Sequence, residues 1–249
     1  SVDLLLFSDF PEELEKYEKK IGEATLERFP NIKVVMKKTR NYGGRYRTPR
    51  YKILAGERRK TTIHKENNIR LQLHPEKVYF SARMSTERAR IASLIKPSER
   101  VLVMFCGCSP YPLVIAKNSK AKEVVGVEIN PDGHAFGLVN LKLNKVTNVE
   151  LFVGDVRKLV PTLKGDFDRV LMPMPRGGEA FLDVALSKVR KNGWLHFYDF
   201  LHENDFEMAK DKVRNACKEA NRACSLEAFT KCGQYAPGTF RVCVDAKIK

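Results

Sequence analysis

The chain has a formal net charge of +15 at pH 7. Its 249 residues are enough for one large domain or for two smaller ones with an ample core. No stretch approaches the roughly 20 apolar residues of a membrane span. The first residues have no basic leader before their apolar run, so we expect a cytoplasmic protein without a signal peptide. The cysteines form no CxxC pair and have no zinc-ligand spacing, which argues against a metal site and predicts mainly reduced, packed thiols, with a disulfide left open.

Residues 1–78 are predicted to form a small α+β domain. In residues 11–30, apolar side chains recur at helical spacing between Pro11 and Pro30, which predicts an amphipathic helix. Short alternating runs predict strands, and a glycine-rich tetrapeptide predicts a turn. These strands are at 32–36, 51–54, 60–65, 69–73 and 78–80, and the turn is at 41–44.

The segment from residue 32 to residue 65 is strongly basic. Its lysines and arginines are opposed by a single acid, Glu57, and are interleaved with Tyr42, Tyr46 and Tyr51. A solvated basic face is one explanation. The concentration of charge together with aromatic rings favours another, a surface that binds the phosphates and bases of a nucleic acid.

Beyond this domain, residues 79–249 alternate between helical and strand patterns, which predicts a doubly wound, mostly parallel sheet. The last helix is followed by two strands close in sequence, which predicts an antiparallel hairpin at one edge. The predicted helices are 85–95, 112–119, 131–144, 156–163, 177–191 and 205–222, and the strands are 101–105, 124–129, 149–153, 168–172, 193–199, 225–231 and 239–247.

The stretch from residue 100 to residue 130 carries the first functional signal. A buried strand, a small-residue turn around Gly107, a helix and a second strand ending in Glu128 form the arrangement that binds a nucleoside-bearing cofactor. Glu128 is placed to accept the ribose hydroxyls, and Asp155, after the next strand, to accept from an adenine amino group. The full GxGxxG fingerprint is absent, so a purely structural unit in which both acids cap helices stays open.

Seven strands with a reversed last strand resemble the class I S-adenosylmethionine-dependent methyltransferases, an α/β, Rossmann-like fold. The segment from Val78 to Arg88 (VYFSARMSTER) resembles the VYFSxRxxxER signature of the archaeal and eukaryotic tRNA (guanine-37) N1-methyltransferases. The resemblance extends over essentially the whole chain. Its other matches are Arg47–Pro49, Leu54–Glu57, Gly126–Pro131, Gly154–Arg157 and Tyr235–Pro237.

This resemblance implies a mechanism and a set of site residues. Glu87 would be the general base that removes the N1 proton of guanine, and Arg47 would stabilise the charge that develops on O6. Without the resemblance, Glu87 and Arg88 would be read as ordinary charges at a helix start. The implied cofactor-binding residues are Phe105, Gly107, Glu128, Ile129, Asn130, Asp155, Val156 and Pro173. The implied substrate-binding residues are Tyr79, Arg83, Arg88 and Pro175.

Three positions depart from the family pattern. Val103 replaces an acid, Ser109 replaces a glycine, and Pro173 replaces the asparagine that helps to hold the target base. Some archaeal members with a proline there also methylate a tricyclic wyosine precursor, so that second substrate stays open. Many members carry a further N-terminal domain that recognises the outer corner of tRNA, and this sequence starts where their second domain would, so we expect that module to be absent or removed.

Three hypotheses follow. The first is an S-adenosylmethionine-dependent methyltransferase that acts, as a monomer without metal, on the anticodon stem-loop of tRNA. The second is the related aminocarboxypropyl transferase of the wybutosine pathway, which uses the same cofactor. The third is a non-catalytic RNA-binding protein with a decayed cofactor pocket, suggested by the three departures.

Overall fold

The computed structural model of the chain describes residues 3–44, 46 and 48–249. Within them the strands are β1 (Leu4–Phe7), β2 (Val34–Gly43), β3 (Thr48–Gly56), β4 (Thr62–Glu66), β5 (Ile69–Leu73), β6 (Arg100–Met104), β7 (Glu123–Glu128), β8 (Val149–Val153), β9 (Phe167–Met172), β10 (Val189–His202), β11 (Cys224–Ala236) and β12 (Thr239–Ile248). The α-helices are α1 (Glu18–Arg28), α2 (Ser85–Leu94), α3 (Pro110–Asn118), α4 (Pro131–Asn144), α5 (Val156–Leu159), α6 (Leu182–Leu186) and α7 (Phe206–Glu219). Short 3₁₀ turns precede α1, α2, α6 and α7 and follow α5.

A three-stranded sheet with the order β1-β2-β3 forms the N-terminal unit. Strand β1, which the sequence did not predict, pairs in parallel with β2, and β2 pairs antiparallel with β3. Helix α1 packs on β3 at Gly22, where a Cβ atom would lie only 2.9 Å from the Cβ of Ala55. A side chain at Gly22 would therefore push the helix off the sheet.

The second unit is built on a seven-stranded sheet with the order β11-β12-β10-β9-β6-β7-β8. Neighbouring strands from β8 to β10 are parallel, and β12 runs antiparallel to both β10 and β11. This confirms the predicted doubly wound, mostly parallel sheet with a reversed last strand. The carboxyl ends of β6, β7, β8, β9 and β10 meet at one edge, which we call the carboxyl edge.

Alternate side chains of this sheet enter two separate apolar layers. Leu102, Val170 and Phe197 belong to the layer covered by α5, α6 and α7. Val101, Leu171 and Tyr198 belong to the layer covered by α2, α3 and α4. Since both faces are covered, the strands read as continuous apolar runs, which is why the sequence revealed them.

The β4–β5 hairpin lies against the second unit and is bound to it by asparagine side chains. Asn140 and Asn144, one turn apart on α4, each accept from and donate to the backbone of β5, at Gln72 and Arg70. At the hairpin turn, Asn67 donates to the backbone oxygen of Ser85 at 2.8 Å. The hairpin therefore connects α4 to the start of α2.

Two predicted elements were wrong. Residues 78–80 are not a strand, because the backbone turns at residues 74–78 and buries Val78 beside Leu73 and Cys108. The helix predicted at 177–191 ends at Leu186, and β10 begins at Val189 with an irregular register before Trp194. The predicted turn at 41–44 begins late, since β2 continues to Gly43.

In the part of the chain that the structure describes, no helix is both long and apolar enough to cross a membrane. All six cysteines are free thiols and four of them are buried; the sequence had left a disulfide open. Burial raises the pKa of Cys108 to about 12, so this thiol stays protonated and unreactive at neutral pH.

Candidate active site

A strained loop leaves the carboxyl end of β6. Phe105, Gly107 and Ser109 all have left-handed backbone conformations, with φ of +56°, +59° and +70°. Such a conformation costs a non-glycine residue about 1–2 kcal/mol, and strain of this kind is typical of functional sites. The amide of Cys106 donates to the Val127 oxygen at 3.0 Å, which fastens the loop to β7.

Glu128, the last residue of β7, lies beneath this loop and is only 9% exposed. Its Oε2 accepts from the Gly107 amide at 2.7 Å and its Oε1 from the Asn130 amide at 2.8 Å. Burial raises the pKa of this carboxyl, although the two amide bonds oppose the shift. A carboxylate has about four acceptor directions, so these bonds leave acceptor capacity for a pair of hydroxyl groups.

Asp155 follows the neighbouring strand β8. The Gly154 amide donates to the Glu128 backbone oxygen at 2.8 Å, which brings the ends of β7 and β8 together. Asp155 also caps α5, since its Oδ1 accepts from the Arg157 amide at 2.9 Å. The capping role considered from the sequence is therefore real, and it coexists with a position beside Glu128.

The remaining residues predicted at the cofactor lie around these two acids. Asn130 is buried, caps α4 and donates to the Lys77 oxygen at 2.7 Å. Phe105 and Ile129 are half-buried, and the Phe105 ring makes an edge contact with the Phe181 ring at 5.2 Å. Val156 is buried in the apolar layer below, and Pro173, half-buried, directly follows β9.

Glu87, in the first turn of α2, is 3% exposed and packs against the sheet near its carboxyl edge. Arg90 holds the carboxylate with two bonds, Nε to Oε2 at 2.7 Å and Nη2 to Oε1 at 2.8 Å. The Tyr198 hydroxyl donates to Oε1 at 2.6 Å. Arg90 and Tyr198 thus engage three of the four acceptor directions, and the Cys232 thiol is a further hydrogen-bond partner of the carboxylate.

The Glu87–Arg90 pair is the end of a longer buried charge network. Arg90 also binds Asp245, with Nη1 2.6 Å from Oδ2, and Asp245 Oδ1 lies 2.7 Å from His196 Nδ1. His196 Nε2 is 3.3 Å from Arg169, which pairs with Glu99. Although burial alone would raise it, the contacts with His196 and Arg90 hold the pKa of Asp245 below its ordinary value.

The sequence did not predict this network. One signal was present: in the strand WLHFYDF, His196 and Tyr198 occupy alternate positions that share a face of an otherwise apolar run. Buried polar residues of this kind need partners. His196, Cys243 and Asp245 offer metal-ligand atoms within 4.8 Å of one another, but the guanidinium groups of Arg90 and Arg169 bind the same side chains and would repel a cation.

The predicted substrate residues are spread over different environments. Tyr79 is 45% exposed and accepts from Arg241 Nη2 at 3.0 Å. Arg83 is exposed, and Pro175 is buried in the loop after β9. Arg88 is buried in a bidentate pair with Glu66, so it faces the hairpin and not open solvent. Arg47 lies outside the described residues.

Comparison with known proteins decides the family. A family model described as the TRM5/TYW2 methyltransferase domain matches residues 62–227, and one described as the TYW2 N-terminal domain matches residues 3–60. The chain belongs to the TRM5/TYW2 methyltransferase family. The resemblance inferred from the sequence and the class I methyltransferase fold are thereby confirmed.

Members of the TRM5/TYW2 family with different activities resemble this chain to a similar degree. The tRNA (guanine(37)-N(1))-methyltransferase Trm5b of Pyrococcus abyssi is 35% identical over 96% of this chain and 71% of its own length. The tRNA 4-demethylwyosine(37)-methyltransferase Taw21 of Saccharolobus solfataricus is 35% identical over 84% of this chain and 77% of its own. An aminocarboxypropyltransferase of Methanocaldococcus jannaschii is 32% identical over 87% of this chain and 86% of its own.

Solved structures of TRM5/TYW2 proteins superpose on almost the whole chain. The crystal structure of Trm5b from Pyrococcus abyssi has a TM-score of 0.88 at 33% identity and covers 99% of this chain and 73% of that one. The complex of aTrm5 with tRNALeu has a TM-score of 0.85 at 30% identity and covers 99% of this chain and 70% of that one.

Proposed function

We propose that this chain transfers a methyl group from S-adenosylmethionine to N1 of guanosine 37 in tRNA. The observation that carries the proposal is the position of Glu87. It is bonded to Tyr198, which lies level with the end of β9, at the same edge of the sheet where Glu128 ends β7 and Asp155 follows β8. The relatives named as guanosine-37 methyltransferases support the choice of reaction.

The residues around Glu128 fit an adenosine-bearing cofactor. The free acceptor capacity of Glu128 suits both ribose hydroxyls, and Asp155 suits the adenine amino group. Phe105, Gly107, Ile129, Asn130, Val156 and Pro173 would complete the pocket wall. When bound, the cofactor supplies an electrophilic methyl group attached to a sulfonium sulfur.

Glu87 is proposed as the general base. Guanine N1 carries a proton that must leave before the ring nitrogen can attack the methyl carbon. The Oε2 atom, which Tyr198 does not contact, would receive the N1–H, and the bonds from Arg90 and Tyr198 hold the carboxylate in a single orientation. As the proton moves to Glu87, negative charge grows on O6, where Arg47 would stabilise it.

The RNA would bind to the basic N-terminal domain, residues 1–78, and to residues at the entrance of the proposed active site. Tyr79, Arg83 and Pro175 would position the extruded guanosine, as single-stranded bases are held in other RNA-modifying sites. Arg88 is proposed to act on the substrate through Glu66 and the hairpin, since its guanidinium is committed to that pair.

Aminocarboxypropyl transfer is the second candidate. The match of residues 3–60 to the TYW2 N-terminal domain favours it, as does the 32% identity to an aminocarboxypropyltransferase. Methylation of a demethylwyosine base, the reaction named for Taw21, is a third outcome compatible with Pro173.

Product mass separates these reactions. Unmodified tRNA and tRNA carrying 4-demethylwyosine would each be incubated with the cofactor, and the nucleosides analysed by mass spectrometry. We expect a methyl increment on guanosine 37. An aminocarboxypropyl increment would establish the second candidate, and the absence of both product and cofactor binding would support the non-catalytic hypothesis.

The base is tested with Glu87→Gln. Loss of the proton acceptor should slow single-turnover methyl transfer by about 10²–10⁴-fold, with tRNA and cofactor affinities nearly unchanged. Glu203→Gln, an exposed acid outside the site, is the control and should react at the wild-type rate. Wild-type turnover by Glu87→Gln would remove Glu87 from the mechanism.

A further inference from the structure

A group of arginine and aromatic side chains lies beside the proposed target-base site. We call it the arginine–aromatic cluster, and its members are Tyr79, Arg176, Phe200, Tyr235 and Arg241. Arg176 is in the loop after β9, Phe200 and Tyr235 are near the ends of β10 and β11, and Arg241 pairs with Phe200 across the β10–β12 ladder. The cluster therefore sits at the carboxyl edge, on the β9–β12 side.

The side chains are ordered by ring and cation contacts. The Phe200 and Tyr235 rings lie 4.4 Å apart at an interplanar angle of 41°. The Arg176 guanidinium lies 5.1 Å from the Tyr235 ring centre and donates to its hydroxyl at 2.8 Å. Arg241 covers Phe200 at 4.8 Å and donates to Tyr79 at 3.0 Å. These contacts leave the rings preorganised.

Much of this cluster nevertheless remains open to solvent. Tyr235 is 54% exposed, which is high for a large aromatic side chain, and Tyr79 is 45% exposed. Arg176 is exposed as well. Among the described residues no carboxylate pairs with Arg241, so its positive charge is not neutralised within the protein. Exposed rings beside the Arg241 guanidinium suit a flat, anionic ligand.

We propose that the arginine–aromatic cluster stacks the base of a nucleotide next to the target guanosine and contacts its phosphate. The proposal rests on the proposed function. Apart from Pro173, which follows β9, the cofactor residues lie at the ends of β6, β7 and β8, whereas Phe200, Tyr235 and Arg241 lie on β10, β11 and β12. A base on these rings is therefore outside the cofactor pocket. Tyr79 and Arg176 connect the cluster to the target site. Tyr79 lies in the segment that leads into the helix of Glu87, and Arg176 directly follows Pro175. An extruded target leaves its neighbours unstacked, and the cluster offers one of them a new surface.

The test uses an anticodon stem-loop RNA with 2-aminopurine directly 5′ or directly 3′ of the target guanosine. Stacking on a protein ring changes 2-aminopurine fluorescence, so we expect a change on binding for one of the two positions. Tyr235→Ala should abolish this change and weaken RNA binding about tenfold, whereas Tyr235→Phe, which keeps the ring, should behave like the wild type. Cofactor affinity and the single-turnover rate at saturating RNA should stay within about twofold.

Two controls separate stacking from a structural role. Met208→Ala truncates a similarly exposed apolar side chain, 51% accessible, on α7, outside both the N-terminal domain and the cluster, and it should change neither signal. Arg176→Gln should weaken RNA binding. The slope of log affinity against log salt concentration should become smaller by about 1, the value for one lost phosphate contact. The proposal is overturned if Tyr235→Ala keeps the wild-type fluorescence change and affinity, or if Tyr235→Phe loses both.

The outcome is independent of the transfer reaction. A fluorescence change that depends on Tyr235, without methyl product from the wild-type protein, would refute the proposed reaction and keep the stacking surface. If the wild-type protein forms methyl product but no fluorescence change depends on Tyr235, only the stacking surface is refuted.

Discussion

Two buried glutamates near the carboxyl edge are held in different ways. Glu128 is bound by backbone amides of its own loop and of the loop before it. Glu87 is bound by side chains, and these connect it through Arg90 and Asp245 to the opposite end of the sheet. An acid bound only by backbone keeps acceptor capacity for a ligand, whereas an acid bound by an ionic network has its orientation set by the fold. The first arrangement suits binding and the second suits a fixed base.

The largest effect on stability is expected from Arg90→Ala. This variant leaves Glu87 and Asp245 buried without their shared cation, which should lower the free energy of unfolding by about 3–5 kcal/mol. Chemical denaturation measures the loss. Arg214→Ala, which breaks an exposed pair with Asp211, is the control and should leave the free energy of unfolding nearly unchanged. Equal effects of the two variants would mean that the buried network does not support the fold.

Glu128→Gln should act on binding more than on the fold. Loss of a charged acceptor for ribose hydroxyls is expected to weaken cofactor binding by about 1.5–3 kcal/mol, which calorimetry would measure. Asp132→Asn, an exposed acid four residues away on α4, is the control and should bind normally. An unchanged affinity for Glu128→Gln would exclude the ribose role.

Gly107→Ala tests the strained loop above Glu128. The nearest atom to the new Cβ would be the Tyr79 oxygen at 3.6 Å, so the cost is conformational and not steric. With φ at +59°, we expect about 1–2 kcal/mol of lost stability. Unfolding of the variant in parallel with wild type would measure it, and a stabilised variant would show that the loop is not strained.

The smallest expected effect is the pH dependence of stability and cofactor affinity that comes from Glu128 and from the buried network of Asp245. The pKa of Glu128 is raised above 4.5 by burial, so its contribution to stability declines as pH rises through the range just above 4.5. Asp245 has a pKa below 3.8, so its contribution is complete above that value and is lost only as pH falls further. As pH falls and Glu128 becomes protonated, cofactor affinity should decline by less than tenfold per pH unit. The Glu128→Gln variant should lack this pH dependence.

Sequence reasoning succeeded where structure is local. Helix α4 and strand β8 have the predicted bounds, because a capping residue, a proline and a periodic pattern mark them. Glu128 was picked out by its distance from the turn and Asp155 by its place after the next strand, and the structure brings the ends of these two strands together. The boundary predicted at residue 78 remains a prediction, although the β4–β5 hairpin before it is bonded to α4.

What failed depended on partners distant in sequence. Tyr198 lies 111 residues from Glu87, and Asp245 lies 155 residues from Arg90. No pattern within a single segment pairs such residues, since only the completed sheet brings them together. The missed strand β1 has the same origin, because its partner β2 lies beyond α1.

The asparagine-bound hairpin has a mechanical consequence. Its amide bonds reach α4, which starts three residues after Glu128, and its turn is bonded to the helix that carries Glu87. Because the protein interior is closely packed, a displacement of either acid is therefore transmitted to the other through the β4–β5 hairpin, residues 62–73.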